Sequence, residues 1–467
     1  MIEGRNGPIA CRPAFDLYAA QCRAMSTEIA ARLSGVDGEA IRAAARLLWQ
    51  HRPVAHLTWT GLEQQSNATQ TDRAIAILHA LTGSVDVPGG NVHFALVPVN
   101  DVSGNELRDP AQWQKALGLA ARPLGIGKSG WILSDDLYRA VIEAQPYQVR
   151  ALMGFGLNLL LSHADAARGA EALRRLEFHV QSDLYLTPTA AYADIVLPVA
   201  SAWEREGLRV GFGLDHDACE LVQFRPAVVA PRGEASADID IVFDLAVRLG
   251  LGDHFWHGDV EAALDHHLAP SGLSLRALRA NPRGIRVPLE TTYQKYRSAG
   301  FATPSSKIEI LSTVLPAAGE PPFPEFRVPL AKADGFPLTL TTVKTPLYCH
   351  SQHRNLARLR RLEPDPVAEL GHGTAASRGI GEDDWLVITT PQSRVRARAR
   401  LSSALADGIV AAQHGWWQAC PELGLPGYDA LDPDGANINL AIGVDAVDPV
   451  SGAASHRCYP CQIEKLA

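Results

Sequence analysis

Between Val149 and Ala200 three short apolar runs, VRALMGF, FHVQSDLYL and DIVLPVA, recur with intervening stretches that favour a helix or a turn. After VRALMGF come a glycine-containing turn (GFGLN) and a helical pattern through HADAARGAEALRRL; after FHVQSDLYL comes TPTAAYA, with threonines placed to cap a helix start. Strands alternating with helices argue for a parallel, doubly wound sheet, and ligands of such sheets sit beyond the C-terminal strand ends. This region therefore predicts an α/β fold with its binding crevice near Gly154–Asn158 and Asp183.

From residue 335 onward the pattern becomes β. FPLTLTTVK, DWLVITTP, RVRARARL and GIVAAQ read as strands, and RVRARARL alternates strictly, with arginines on one face and Val395, Ala397, Ala399 and Leu401 on the other. A closed barrel is the simplest architecture for them, and the arginines mark a solvated face. With 467 residues, about three domains are expected. The boundaries read as 1–145, an α/β unit; 146–330, an α/β dinucleotide-binding unit with an irregular linker; and 331–467, the barrel. Within the first unit, a hairpin should pass into a helix, a second helix should start at Asp37-Gly38, PVAHLTW should form a buried strand, and DVPGGNVHFALVPVNDVSG should be a functional loop. Residues 256–330 read as linker with one helix at DVEAALDHHL.

A net charge of −8 argues against general affinity for nucleic acid or membrane surfaces, so an anionic ligand needs a local basic pocket. Seven cysteines, odd in number and mostly scattered, form no disulfide framework and imply a reducing, cytoplasmic setting. No run of about 18 apolar residues is present to span a membrane, and the N-terminus lacks the apolar core of a signal peptide.

The densest cluster of polar chemistry is YCHSQHRN, Tyr348–Asn355. Cys349, His350 and His353 have the side chains of a metal site, but adjacent ligands on one ion are awkward and no second cluster accompanies them. Asp183 suits a base or ribose, and Thr187 and Thr189 stand at a helix start, so two consecutive strand ends offer nucleotide-type contacts. Glu204 and Glu206 (WEREG) point to opposite faces if extended, which disfavours a shared proton and favours a backbone or guanidinium bond. CYPC (458–461) has metal spacing but reads as a structural strand end. In HGWW, one of Trp416 and Trp417 should be core and the other should line a pocket. Asn437 and Asn439 suit either a heterocycle edge or a turn cap.

Taken in order, GLEQQSNATQTDRAIAILHALTGSVDVPGGN, VNDVSG, ALMGFGLN, SDLYLTPTAAYADIVLP, EREG and GIGEDDWLVITTPQSRVRARARLSSALADGIV resemble the molybdopterin oxidoreductases of the dimethyl sulfoxide reductase family. YCHSQHRN, QHGWW and NIN most resemble the branch containing acetylene hydratase. The resemblance implies a C-terminal double-psi β-barrel and a molybdenum or tungsten bis(molybdopterin guanine dinucleotide) cofactor. It implies two-electron oxygen-atom or hydride transfer on a small-molecule substrate, with non-redox hydration or a cofactor-binding pseudoenzyme as alternatives. By position it gives Gly154, Asn158, Asp183, Thr187, Thr189 and Asp194 to one dinucleotide. Lys344, His350, Ser351, His353, Arg354, Asn437 and Asn439 fall on the barrel side, with Asn355 and Arg358 behind them, and Gly61, Gln64 and Asn100 near the metal end. Under this reading Cys349 is a packed thiol. The family's four-cysteine iron–sulfur motif and its metal-ligating residue are not recognisable. The chain thus reads as a C-terminal portion without an iron–sulfur cluster, its partner being an iron–sulfur N-terminal portion or an electron-transfer subunit.

Overall fold

The computed structural model describes residues 2–5, 7–328 and 333–466. An antiparallel hairpin of β1 (Ile2–Gly4) and β2 (Gly7–Ile9) leads into the helix Ala14–Ala24, as expected. The helices Thr27–Ser34 and Gly38–Gln50 follow, and Asp37 caps the latter by accepting the N–H groups of Glu39 and Ala40 at 3.1 Å. A further helix, Ala68–Leu81, gives way at Thr82 to Gly83 in the left-handed region (φ 65°). PVAHLTW departs from expectation. It forms no strand, and Leu57 and Trp59 are 84% and 76% exposed. An apolar run becomes a strand only where a neighbour completes its ladder, and no described strand pairs with this one.

The parallel sheet consists of β3 (Ala151–Phe155), β4 (Phe178–Asp183) and β5 (Ile195–Pro198) in that order. The helices Leu159–Ser162 and Ala166–Arg175 cross between β3 and β4. With Ser134–Ile142 they cover one face through Tyr138, Leu160, Ala170 and Leu173. The helix Asp238–Arg248 stands over the other face, leaving a groove of about 730 Å³ floored by Met153, Val180 and Leu197. The chain after β5, of which the expected linker 256–330 is part, contains more structure than its composition suggested. β6 (Gly207–Val210), β7 (Leu221–Arg225) and β8 (Ile285–Arg286) form a separate antiparallel sheet. Its Val222 and Phe224 pack on Leu268 and Leu278 of the helices Val260–Leu268 and Leu275–Arg279, with Val97 joining from the loop 86–104. These strands are too short and too distant in sequence to produce a visible period.

The C-terminal barrel is closed, with β9 (Leu338–Val343), β10 (Val367–Leu370), β11 (Trp385–Thr389), β12 (Arg394–Leu401), β13 (Ile409–Gln413) and β14 (Tyr459–Lys465) in the order β10-β12-β11-β14-β9-β13. The expected boundary at 330/331 lies outside the described residues. Val395, Ala397 and Ala399 point inward, whereas Arg394, Arg398 and Arg400 pair outside with Asp434, Asp365 and Glu363 at 3.0, 3.2 and 2.8 Å. Cys461 sits in the core between Tyr459 and Ile463, and burial pushes its thiol up to about 12. CYPC is therefore a strand end. Among the described residues no group of three or more His, Cys, Asp or Glu side chains could hold a metal ion, and no helix is long and apolar enough to cross a membrane.

Candidate functional site

Barrel topology gathers three loops at one end. β9 and β13 are parallel with Val343 opposite Gln413, and β14 enters antiparallel with Tyr459 opposite Leu340. The segments leaving β9 (Lys344 to Asn355) and β13 (His414 to Cys420), and the one entering β14 (Ser455 to Cys458), therefore emerge side by side. Facing them is the turn after β3. The Asn158 side-chain amide donates to the Ser351 hydroxyl at 3.1 Å, and the Trp417 indole N–H donates to the Ser351 carbonyl at 2.7 Å. The C-terminal end of the sheet thus meets the mouth of the barrel across a polar crevice, where doubly wound folds bind ligands.

The shape of YCHSQHRN follows from what anchors it. Tyr348 donates to the Glu363 carbonyl at 2.7 Å. His350 and His353 both adopt left-handed backbone (φ 50° and 75°), at roughly 1 kcal/mol each for a residue with a Cβ. Arg354, only 2% exposed, holds the loop in that form. Its guanidinium donates to the carbonyls of His350, Gln352 (3.1 Å) and His414 (2.7 Å), and stacks over Tyr348 and Trp416 at 4.6 and 5.2 Å. Both terminal nitrogens of Arg354, expected to face a ligand, are thus engaged by the chain's own carbonyls and position the loop, while its buried Nε has no partner among the described residues. Cys349 is exposed and not a packed thiol. Of the two tryptophans, Trp416 is fully buried and Trp417 partly so.

Gly415 provides the close approach beneath the loop. Its φ is 82°, and a Cβ there would run into the His350 carbonyl oxygen and lie 2.8 Å from the Ser351 Cα. Gly415→Ala should lower stability by about 2 kcal/mol or more, combining a left-handed alanine with overpacking against backbone. A shift in denaturant midpoint at constant m-value measures this.

Other expected residues sort into those the crevice contains and those it does not. Asn437 and Asn439 are buried and serve as clamps: Asn437 donates to the carbonyls of Leu160 (2.8 Å) and Ala430 (2.9 Å), and Asn439 to that of Leu161 (2.7 Å). They tie the barrel to the helix after β3 and present no free edge to a heterocycle. Thr189 accepts the Leu160 N–H and donates to Asn158, and Thr187 caps the turn at Ala190. Gly154 lies within β3, where a Cβ would collide with Gln181, which crosses to bond the Leu157 carbonyl at 3.2 Å. The left-handed glycine of the turn is instead Gly156 (φ 58°), with open space where a Cβ would be. Asp194 stands at the opposite end of the sheet, where its carboxylate accepts the His179 N–H at the start of β4. Asn100 is bound to the carbonyls of His266 and His267 at the C-terminal end of Val260–Leu268, and Gly61 is exposed without a neighbour. Gln64 does reach the site region, its carbonyl accepting the Arg457 N–H at 3.0 Å. Both WEREG carboxylates are structural, Glu204 on backbone N–H groups of Ser201 and Arg232 and Glu206 on Arg279.

The crevice is basic and its histidines are largely enclosed. Lys344, His350 and Arg354 crowd His414; burial first, then these charges, depress His414 to about 4. Burial likewise depresses His456 to about 4 and lowers His163. Asn439 gives its N–H to Leu161, so its oxygen accepts from His456 Nε2 at 2.9 Å, which leaves Nδ1 of the neutral ring as an acceptor. Arg457 donates to the Thr342 carbonyl, and its Nε is buried with no partner among the described residues. Asp183, half-buried at the end of β4, is raised, chiefly by burial. Gly156, His163, His456 and Arg457 were missed in the sequence; SHRC beside CYPC, at the mouth of a predicted barrel, was the signal available for the last two.

The sequence profile of molybdopterin oxidoreductase matches residues 19–248, and that of the molydopterin dinucleotide binding domain matches 338–459. The chain belongs to the molybdopterin oxidoreductase family. It is 27% identical to dopamine dehydroxylase of Eggerthella lenta over 98% of this chain and 53% of that protein. It is also 27% identical to acetylene hydratase of Syntrophotalea acetylenica over 84% of this chain and 57% of that protein. The chain spans about half the length of the curated relatives it matches. The structure of acetylene hydratase from Pelobacter acetylenicus superposes with a TM-score of 0.85 at 24% identity, covering 97% of this chain and 66% of that one, a likeness of fold. The family's dinucleotide-binding domain indicates a molybdenum or tungsten pterin cofactor.

Proposed function

We propose that this chain is the cofactor-binding portion of a molybdopterin-dependent oxidoreductase acting on a small molecule, divided into units 1–145, 146–330 and 331–467. The observation that carries the reading is the Asn158–Ser351 bond, which sets the glycine turn after β3 against the basic barrel loops. The donor set fits the group. A diphosphate needs cations and N–H donors, which Lys344, Arg457 and the His350 ring can present beside the glycine turn; a guanine or pterin edge needs acceptors and amides, which Asp183, Asn158 and neutral His456 supply. His353 and His414 flank them, and Ser351 sits at the seam. When bound, the group supplies two-electron chemistry at its metal, molybdenum or tungsten. The residues here bind and orient it, while the enclosed, neutral histidines keep bulk water and surplus positive charge from its buried edge. No iron–sulfur cluster is assigned to this chain; an iron–sulfur-bearing portion or electron-transfer subunit is the proposed partner.

Pterin fluorescence and elemental analysis of the purified protein test this. Wild type should carry pterin with molybdenum or tungsten, and Lys344→Glu should retain at least tenfold less at unchanged thermal midpoint. Wild-type protein without pterin, alone and with its partner, would sink the proposal. The likeness to acetylene hydratase favours a second reading, non-redox hydration; turnover that needs no electron acceptor would support it over the first.

A further inference from the structure

Strands of a parallel sheet that helices cover are ordinarily apolar, because the covered face meets no water. β4 departs from this on the face beneath the helix layer. Side chains alternate along it, so Val180 faces the groove under Asp238–Arg248, while His179 and Gln181 lie on the opposite face, which Leu152 shares. Both are buried, at 1% and 0% exposure. β3 makes a second unfavourable choice directly beside them. Gly154 pairs with Gln181 in register, and a Cβ there would run into the Gln181 Oε1. A glycine inside a strand gives up packing and loses more chain freedom on folding. A buried amide carries a desolvation cost that an unbranched apolar chain of the same length avoids. The two choices are coupled, because the amide occupies the space that the missing side chain leaves.

The bonds of that amide point to its use. Gln181 Nε2 donates to the Leu157 carbonyl at 3.2 Å, so its Oε1 is the acceptor for His179 Nε2 at 3.3 Å. His179 therefore carries its proton on Nε2, and its Nδ1 is buried without a partner among the described residues. The pair forms a short polar line inside an apolar layer, aimed at one carbonyl of the turn after β3. A trans peptide holds its C=O and the following N–H in opposite directions. With the Leu157 carbonyl drawn in to Gln181, the Asn158 N–H points away from Gln181, and it meets no backbone acceptor among the described residues. The same turn is tied to β4 and to the loop after it: the Gly156 N–H donates to the Ser182 carbonyl at 2.8 Å, and Asn158 Oδ1 accepts from Thr189 at 3.3 Å. The next residue on this face of β4 is Asp183. Burial raises its carboxyl, and the Gln181 amide is among the groups that oppose the rise.

We infer that Gln181 is a positioning residue of the cofactor crevice: by holding the Leu157 carbonyl inward it sets the Asn158 peptide, and with it the Asn158 side chain that reaches Ser351. Gly154 serves this arrangement by leaving room for the amide. An apolar residue at 181 would suit the covered layer, yet it would release the turn on which the seam between sheet and barrel depends. A fully bonded polar group inside such a layer specifies one arrangement of the chain around it, and here that arrangement is the turn. The inference rests on the cofactor reading given above and extends it to a residue that touches no ligand.

The test measures pterin content and thermal midpoint side by side on the purified protein, with its partner where one co-purifies. Gln181→Met keeps the length of the side chain and removes the amide; it should retain at least tenfold less pterin than wild type. Gly154→Ala should lower the midpoint, because its Cβ meets the Gln181 amide. Gly154→Ala/Gln181→Ala removes that clash, so its midpoint should recover towards wild type while its pterin content stays at least tenfold low. A role in packing alone would move the two readouts together. Full pterin in Gln181→Met, or pterin that returns with the midpoint in the double variant, would overturn the inference while wild type still carries the cofactor. Wild type without pterin is the separate failure of the cofactor reading, and it removes both.

Discussion

Acidification from pH 6.5 to 4 should destabilise this protein by several kcal/mol through two histidines alone. His414 and His456 are each held near 4, against about 6.5 for an unfolded imidazole. A depressed folded-state value means that the unfolded chain binds the proton first. Stability is thus complete above about 6.5, falls as pH drops through the window between the two values, and is constant again below 4. Each shift corresponds to about 3 kcal/mol at the bottom of that window. Asp183 works in the opposite direction, because its raised value favours the folded state as pH falls, so the net loss is smaller than the histidine sum. Urea denaturation at half-unit pH steps should show the slope. His414→Asn should roughly halve it, and an unchanged slope in that variant would assign the effect to other groups.

Much of the architecture was legible because the signals were local. The βα rhythm needs only a few strand residues, a turn and a helix, and it located β3, β4 and β5 correctly. RVRARARL declared its inward face by period two alone. What failed depended on distant partners. PVAHLTW has strand composition but no pairing neighbour. The antiparallel sheet β6-β7-β8 joins segments some sixty residues apart, invisible to any window.

At the site, residue types were legible but their allegiances were not. Asn437, Asn439 and Arg354 were read as cofactor-side groups, with a turn cap equally open for the two amides, and the structure gives their bonds to carbonyls of the chain itself. Burial decides this: an amide fully removed from water needs its partners present in the fold, whether or not a ligand binds. Asp194 looked equivalent to Asp183 in sequence, yet one begins a strand and the other ends one, so a parallel sheet sends them to opposite edges. Lys344, His350 and Ser351 remain as groups without that internal obligation, or with only the one bond across the seam.

Arg354→Lys should be far from conservative, with an expected loss of about 3 kcal/mol and at least tenfold poorer pterin retention. Lysine keeps the charge but replaces a planar fork with a single ammonium, which cannot reach the carbonyls of His350, Gln352 and His414 together or stack between Tyr348 and Trp416. Buried carbonyls left unpaired cost about 1–3 kcal/mol each, and the left-handed conformations of His350 and His353 lose the contacts that impose them. Burial also lowers Arg354 to about 10, and a lysine at this depth, starting from a lower value, would shed its proton more readily. Arg360→Lys separates loop geometry from bulk stability. Arg360 is equally buried, but most of its carbonyl partners, Pro364, Gln418 and Pro426, lie behind the loop. That variant should lose comparable stability while retaining pterin nearer to wild type. Equal pterin loss in both variants would mean that Arg354 acts through stability alone and not by shaping the loop that carries His350 and Ser351.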